Sequence, residues 1–172
     1  MSHYHRAYLR GGVYFFTVVT WHRQPVFVDE ARVAVLREAF RKVQMARPFQ
    51  MDAIVILPDH LHCIWRLPEG DADYSGRWRE IKKAVSRQID PTSHARHERW
   101  VWQRRFWEHL IRDELDWRRH IDYIHYNPVK HGKTTRPADW QWSSFRHAVA
   151  KGWYDASWGE REPETIQGMD CE

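Results

Sequence analysis

Cysteine is scarce: Cys63 and Cys171 are the two in 172 residues, with no motif spacing between them. A disulfide framework is therefore not expected. Nowhere does the chain hold the roughly 20 consecutive apolar residues of a membrane helix, and its start lacks the pattern of a signal peptide. The expectation is a cytosolic protein without a membrane partner. No internal repeat and no low-complexity segment is present.

What the chain has in surplus is tryptophan and positive charge. Eleven Trp is more than a core of this size needs, and flat side chains left over are suited to stacking on bases. The net charge is +4 and the pI about 9.2. That mean hides a division. Residues 155–172 set Asp155, Glu160, Glu162, Glu164, Asp170 and Glu172 against Arg161, a net of −5, so residues 1–154 carry +9. A basic body favours a polyanionic partner. We expect one domain over 1–154 and an acidic tail over 155–172 that solubilises or competes for a basic groove.

Local patterns give the order of elements. Gly11-Gly12 opens a strand over 13–20, rich in β-branched and aromatic residues. Asp29 is a good N-cap for a helix over 29–45, with Val33, Leu36, Phe40 and Val43 at helical spacing. An apolar run over 51–57, a Pro58-Asp59 turn and an alternating run over 60–67 make a hairpin. A basic amphipathic helix spans 77–89, burying Trp78, Ile81, Val85 and Ile89. A polar loop covers 90–98, and an aromatic, strand-like segment 101–111. The last helix runs over 113–127, where Pro128 discourages continuation. The order β-α-β-β-α-β-α suggests an α+β, ferredoxin-like fold, a four-stranded antiparallel sheet with helices packed on one face.

Chemistry concentrates in two places. In His60-Leu61-His62, residues i and i+2 of a strand project from one face, so both imidazoles can meet one ion while Leu61 enters the core. Any His-x-His alone is a weak signal; this one directly follows a turn, at a strand end. On the last helix, Asn127 falls about 40° from Tyr123, Asp116 about 20° and His120 about 60°, with Trp117, Ile121 and Ile124 on an adjoining core stripe. Two imidazoles and an amide can bind a divalent ion that polarises a phosphate, and Tyr123 can attack it. His120 is a candidate proton acceptor. Around them, Arg77, Arg79, Lys82, Lys83 and Arg87 on the middle helix, and 102–107 with Arg104 and Arg105 among aromatics, suit phosphate contacts and base platforms.

These residues resemble the REP-associated tyrosine transposases, relatives of the IS200/IS605 single-tyrosine enzymes of the HUH superfamily. The likeness covers about residues 4–147. Its strongest pieces are Leu57-Pro58-Asp59-His60-Leu61-His62-Cys63-Ile64-Trp65, Trp102-Gln103-Arg104-Arg105-Phe106-Trp107-Glu108-His109 and Asp122-Tyr123-Ile124-His125-Tyr126-Asn127-Pro128-Val129-Lys130-His131-Gly132. Trp140-Gln141-Trp142-Ser143-Ser144-Phe145 and Gly12-Val13-Tyr14-Phe15-Phe16-Thr17 fit as well. The resemblance implies a ferredoxin-like HUH fold, Mg²⁺ or Mn²⁺ at His60 and His62, and Tyr123 as nucleophile forming a 5′-phosphotyrosine on single-stranded DNA. It implies recognition of REP palindromes, imperfect hairpins with a short sequence at the foot, in a bacterial cytoplasm at the nucleoid. Asn127 stands where related enzymes carry a glutamine ligand, one methylene longer. Expected DNA contacts are Arg10, Lys82, Lys83, Arg87, Arg104, Arg105 and Lys130. REP-associated members are expected to act as monomers, IS200 relatives as dimers.

Two other readings compete. A catalytically idle, sequence-specific nucleic-acid-binding protein of the same fold would not need His60, His62 and Tyr123 all intact. A zinc protein would need more N/S ligands than two histidines and an amide provide.

Overall fold

The computed structural model describes residues 7–89 and 101–172. The polar loop expected over 90–98 lies outside them. Four antiparallel strands, β1 (Val13–Val19), β2 (Gln50–Ile56), β3 (His60–Arg66) and β4 (Trp107–Leu110), pair in the order β2-β3-β1-β4. Helix α1 (Glu30–Ala46) connects β1 to β2, and α2 (Tyr74–Ile89) follows β3. Helix α3 (Glu114–Lys130) follows β4, and a short α4 (Phe145–Ala150) comes after it. This is the expected ferredoxin-like order.

Strand alternation sorts the core into two layers. Tyr14, Phe16 and Val18 of β1 and Leu61, Cys63 and Trp65 of β3 pack with Leu36, Phe40 and Trp78 from the two crossover helices. The intervening Phe15 and Ile64 join Ala53 and Val55 of β2 against Ile121, Tyr123 and Ile124 of α3. Helices therefore cover both faces: α1 and α2 share one, as expected, and α3 takes the other. The reason is in β1 and β3, whose residues are apolar or large on both sides and leave neither side able to face water.

The caps are where the sequence puts them. Asp29 accepts a hydrogen bond from the Arg32 amide at 2.8 Å, and Asp113 from the Asp116 amide at 2.8 Å. The end of α3 differs from expectation. Proline removes one amide and crowds the carbonyl four residues back, yet Pro128 lies within the helix. It stands in the last turn, where little ladder remains to be lost. His131 N–H donates to the Asn127 carbonyl at 3.0 Å and Gly132 N–H to Val129 at 2.9 Å, with Gly132 at φ +63° closing the end.

Three further expectations change. The aromatic segment over 101–111 is a strand only from Trp107, with Trp102 joined to Thr20 by a lone bridge. Arg77 is buried rather than exposed; its guanidinium donates to the carbonyls of Arg47, Pro48 and Asp73 and to Asp71. The acidic stretch over 155–172 packs on α3: the Thr165 hydroxyl donates to buried Asp122 at 2.7 Å, as does Tyr154 just ahead of the stretch at 2.6 Å, and Ile166 and Cys171 are buried. Buried apolar residues hold it there together with hydrogen bonds and the Glu172 ion pairs.

Candidate active site

The two histidines sit where β3 leaves the Pro58-Asp59 turn, opposite the far end of β1: His60 pairs with Val19 and His62 with Thr17. Both project toward α3, their rings 5.0 Å apart. Each ring is oriented from behind. The His60 Nδ1–H donates to Asp59 at 2.7 Å. Thr17 spends its hydroxyl proton on the Cys171 carbonyl, so it accepts from His62 Nδ1–H at 2.9 Å. That leaves a lone pair on Nε2 of each ring, and both Nε2 atoms are buried without a partner. Burial, aided by the charges of His60, His131 and Lys130, pushes the His62 imidazole well below its ordinary value. It is neutral at pH 7, the form that binds metals.

Asn127 is fully buried, and neither its amide oxygen nor its nitrogen has a partner. An orphaned buried polar group costs about 1–3 kcal/mol. Orphans on both histidines and on this amide fit a cation site in the chemistry of their donors. A carboxylate belongs to the same place: ligand atoms of His60, His62 and Glu172 lie within 4.8 Å of one another.

Tyr123 comes up from α3 into this group. Its ring meets His62 edge-on at 5.3 Å. The phenol oxygen accepts from Lys130 Nζ at 3.0 Å and donates to Glu172 at 3.4 Å. Lys130 reaches it because α3 runs past Pro128, and i and i+7 share a helix face. Burial raises the Tyr123 phenol above its ordinary value, and Lys130 pulls against that without cancelling it. Glu172 Oε1 also takes His131 Nε2 at 2.6 Å and Lys130 Nζ at 3.4 Å, and its Oε2 faces Arg23 at 3.5 Å. Burial alone would raise this carboxyl; His131, Lys130 and His60 outweigh it and hold it below its ordinary value.

A second cluster of ligand types, His109, Asp116 and His120, lies between β4 and α3. Here the groups satisfy one another. Asp116 accepts from His109 Nε2 at 2.8 Å, His120 Nδ1 bonds the Asp116 carbonyl at 2.8 Å, and the imidazoles stack at 4.6 Å. Parallel rings aim their in-plane lone pairs poorly at one ion. No hydrogen bond joins His120 to Tyr123, so the expectation of His120 as proton acceptor finds no support in this geometry; Phe15 packs against both rings.

The structure separates the expected DNA contacts. Arg104 and Arg105 are exposed just after Gln103, whose amide donates to Val19 beside the site. Lys83 and Arg87 are exposed on the half of α2 nearer that end. Lys82 is engaged, donating to the Gln103 carbonyl at 2.9 Å and lying over the rings of Trp102 and Phe106. Arg10 is exposed at the opposite end of the sheet, ahead of Val13. Of the aromatics, Trp102 is buried, while Trp107 is 37% exposed on the site's face. The sequence reading missed Arg23, His131 and Glu172. The i+8 spacing of His131 from Tyr123 was a usable signal; nothing local marked the other two.

Comparison with known proteins is consistent across the chain. Residues 11–111 match the family described as Transposase IS200 like. The chain is 48% identical over 158 residues to an Escherichia coli (strain K12) REP-associated tyrosine transposase, covering 92% of this chain and 91% of that one. A Haemophilus influenzae protein given the same name provisionally is 39% identical over 175 residues, covering 98% and 99%. A solved structure of a REP-associated tyrosine transposase bound to a REP hairpin superimposes with a TM-score of 0.84 at 44% identity, covering 95% of this chain and 94% of that one.

Proposed function

The chain belongs to the IS200-like transposases and, among them, to the REP-associated tyrosine transposases, and we propose that it cuts and rejoins single-stranded DNA at REP-type hairpins through Tyr123, with Mg²⁺ or Mn²⁺ held by His60, His62 and Asn127. One observation carries this reading: His60, His62 and Asn127 are buried with ligand atoms that have no partner, and the His62 ring lies 5.3 Å from the ring of buried Tyr123. When bound, the cation would polarise the scissile phosphate and align its oxygens for in-line attack. Tyr123 Oη forms the bond to phosphorus as the bond to the 3′ oxygen breaks. The phenol proton leaves to solvent, the 3′ oxygen takes up a proton, and the 5′ phosphate stays on the tyrosine. That ester conserves the phosphodiester energy, so a second 3′ hydroxyl can reverse the step and rejoin strands.

Affinity would come from exposed cations outside this centre, Arg104, Arg105, Lys83 and Arg87, on the backbone of the hairpin and its flanks. The protein acts as a monomer on nucleoid DNA in this reading. No described helix is long and apolar enough to cross a membrane.

The test is covalent. Wild-type protein with Mn²⁺ and a REP-type hairpin carrying unpaired flanks forms a denaturation-resistant adduct, mapped by mass spectrometry to Tyr123. Tyr123→Phe forms none, and Tyr126→Phe still does. An adduct at Tyr126, or an adduct formed by Tyr123→Phe, overturns the choice of nucleophile.

A further inference from the structure

The candidate site contains an anion that belongs to the chain itself. The Glu172 carboxylate lies beside the Tyr123 oxygen at 3.4 Å and within 4.8 Å of ligand atoms of both His60 and His62. A tetrahedral phosphate about to be attacked by that oxygen must occupy the same space, because the nucleophile and the cation site both border it. The carboxylate therefore marks which donors converge there. They are the cations Lys130, Nζ at 3.4 Å, and Arg23, at 3.5 Å, and the imidazole of His131, Nε2 at 2.6 Å.

The backbone places two of these. Lys130 is the last residue of α3, two past Pro128, and it touches the phenol oxygen as well as the carboxylate. Arg23 follows a backbone excursion in which His22 and Arg23 both have positive φ, 49° and 52°. Side chains other than glycine rarely adopt that region, and two in succession persist only where surroundings over-determine them. The anchor is Thr20, buried, whose hydroxyl bonds the carbonyls of Gln24 at 2.7 Å and Asp59 at 2.8 Å. The excursion turns the Arg23 guanidinium toward Asp59 and Glu172 at the edge of the histidine pair.

We propose that Arg23 and Lys130 are catalytic residues that clamp the scissile phosphate from two sides, in the place the Glu172 carboxylate marks, with Lys130 also bonded to the attacking Tyr123 oxygen. The proposal rests on the reading of Tyr123 as nucleophile. Negative charge builds on the nonbridging oxygens and on the leaving 3′ oxygen during transfer, and preorganised cations there act with no reorganisation. His131 adds a neutral N–H donor to the same oxygens. Lys130 orients a phenol lone pair and offsets charge on the oxygen as its proton departs.

The experiment compares two substrates and four proteins. The linkage that wild type cleaves is located, and the same hairpin is made with a neutral methylphosphonate at that linkage alone. Wild type, Lys130→Met, Lys130→Arg and Arg23→Gln are measured for single-turnover adduct formation on the phosphodiester and for binding of both hairpins. Wild type binds the neutral linkage about tenfold more weakly. Lys130→Met and Arg23→Gln lose most of that discrimination, and each slows adduct formation about 100-fold. Lys130→Arg keeps the discrimination. All four share one melting temperature within a few degrees, since Lys130 and Arg23 side chains are 32% and 42% exposed. Adduct formation near the wild-type rate in both charge-removing variants, or undiminished discrimination in both, overturns the clamp alone. Failure of wild type to form any tyrosine adduct overturns the functional reading and the clamp together.

Discussion

Beneath α1 and α2, strands β1 and β3 present Tyr14, Phe16, Val18, Leu61, Cys63 and Trp65; beneath α3, the residues between these are Phe15, Thr17, His60, His62 and Ile64. The first face is an aromatic core in which Trp65 stacks on Trp78 at 4.4 Å and meets Phe49 at a tilt at 4.2 Å. The second buries imidazoles, a phenol and an amide, several unsatisfied, with the partly exposed Glu172 carboxylate beside them. Burial is equally deep on both, so burial alone does not mark a core. A two-residue period lets one strand serve both purposes, with stability concentrated on one side and strained polar chemistry tolerated on the other.

The largest effects should therefore fall on different observables. His62→Ala should abolish adduct formation at a smaller stability cost than a core truncation, because the ring it removes is smaller and has an Nε2 without a partner, although its bond to Thr17 is lost. Trp65→Ala, three residues along the same strand and on the other face, should cost about 3–5 kcal/mol of stability. Below its lowered melting point it should still form the adduct. Thermal melts beside adduct assays check both. A His62→Ala protein as unstable as Trp65→Ala would erase the distinction between the faces.

How much of this division was legible depended on whether the signal was local. The strand and helix order, the Asp29 cap and the shared face of His60 and His62 follow from spacing within a few residues. So does Leu61 entering the core. The misreadings came from long-range packing. Pro128 ends a helix by local rule, but here α3 runs two residues past it, held by its closing bonds, and places Lys130 beside Tyr123. Arg77 looked like part of a basic surface, yet the distant carbonyls of Arg47 and Pro48 converge on it with nearby Asp71 and Asp73. The acidic charges of 155–172 concealed Ile166 and Cys171, which fix that segment's path into the site.

A smaller effect sharpens the comparison by acid. On the site's side, burial lowers the imidazoles of His62, His120 and His131, and that of His125 down to about 3. A histidine whose folded value lies below its unfolded one supports the fold fully above pH ~6.5 and progressively less as pH falls toward the folded value, because the unfolded chain binds the proton first. On the other side the relevant groups are carboxylates. Hydrogen bonds from Arg77 and Arg47 lower Asp71 and Asp73, so their contribution is lost only as pH falls below ~3.9. His125→Gln should thus flatten the stability slope between about pH 4 and 6 by one proton, or ~1.4 kcal/mol per pH unit. Asp71→Asn should leave that slope alone. Urea melts across the range decide it.

The smallest effect concerns the carboxylate that the site's side holds. Removing 155–172 outright is a poor probe, since it strips Thr165 from buried Asp122 and Ile166 from the core. Glu172→Gln is cleaner: it keeps the shape and removes the charge that faces Lys130, His131 and Arg23. Partly exposed ion pairs are worth about 0.2–1 kcal/mol each, so the hold on the side chain should weaken modestly. A hairpin phosphate that must displace Glu172 would then bind about two- to fivefold more tightly, by the conversion of that energy into an equilibrium constant. The adduct rate at saturating DNA should stay the same, because the carboxylate is already gone from the complex that reacts. Binding curves at low hairpin concentration and single-turnover rates at high concentration separate the two. Unchanged affinity with a slower saturated rate would mean instead that Glu172 remains in the working site and serves the reaction there.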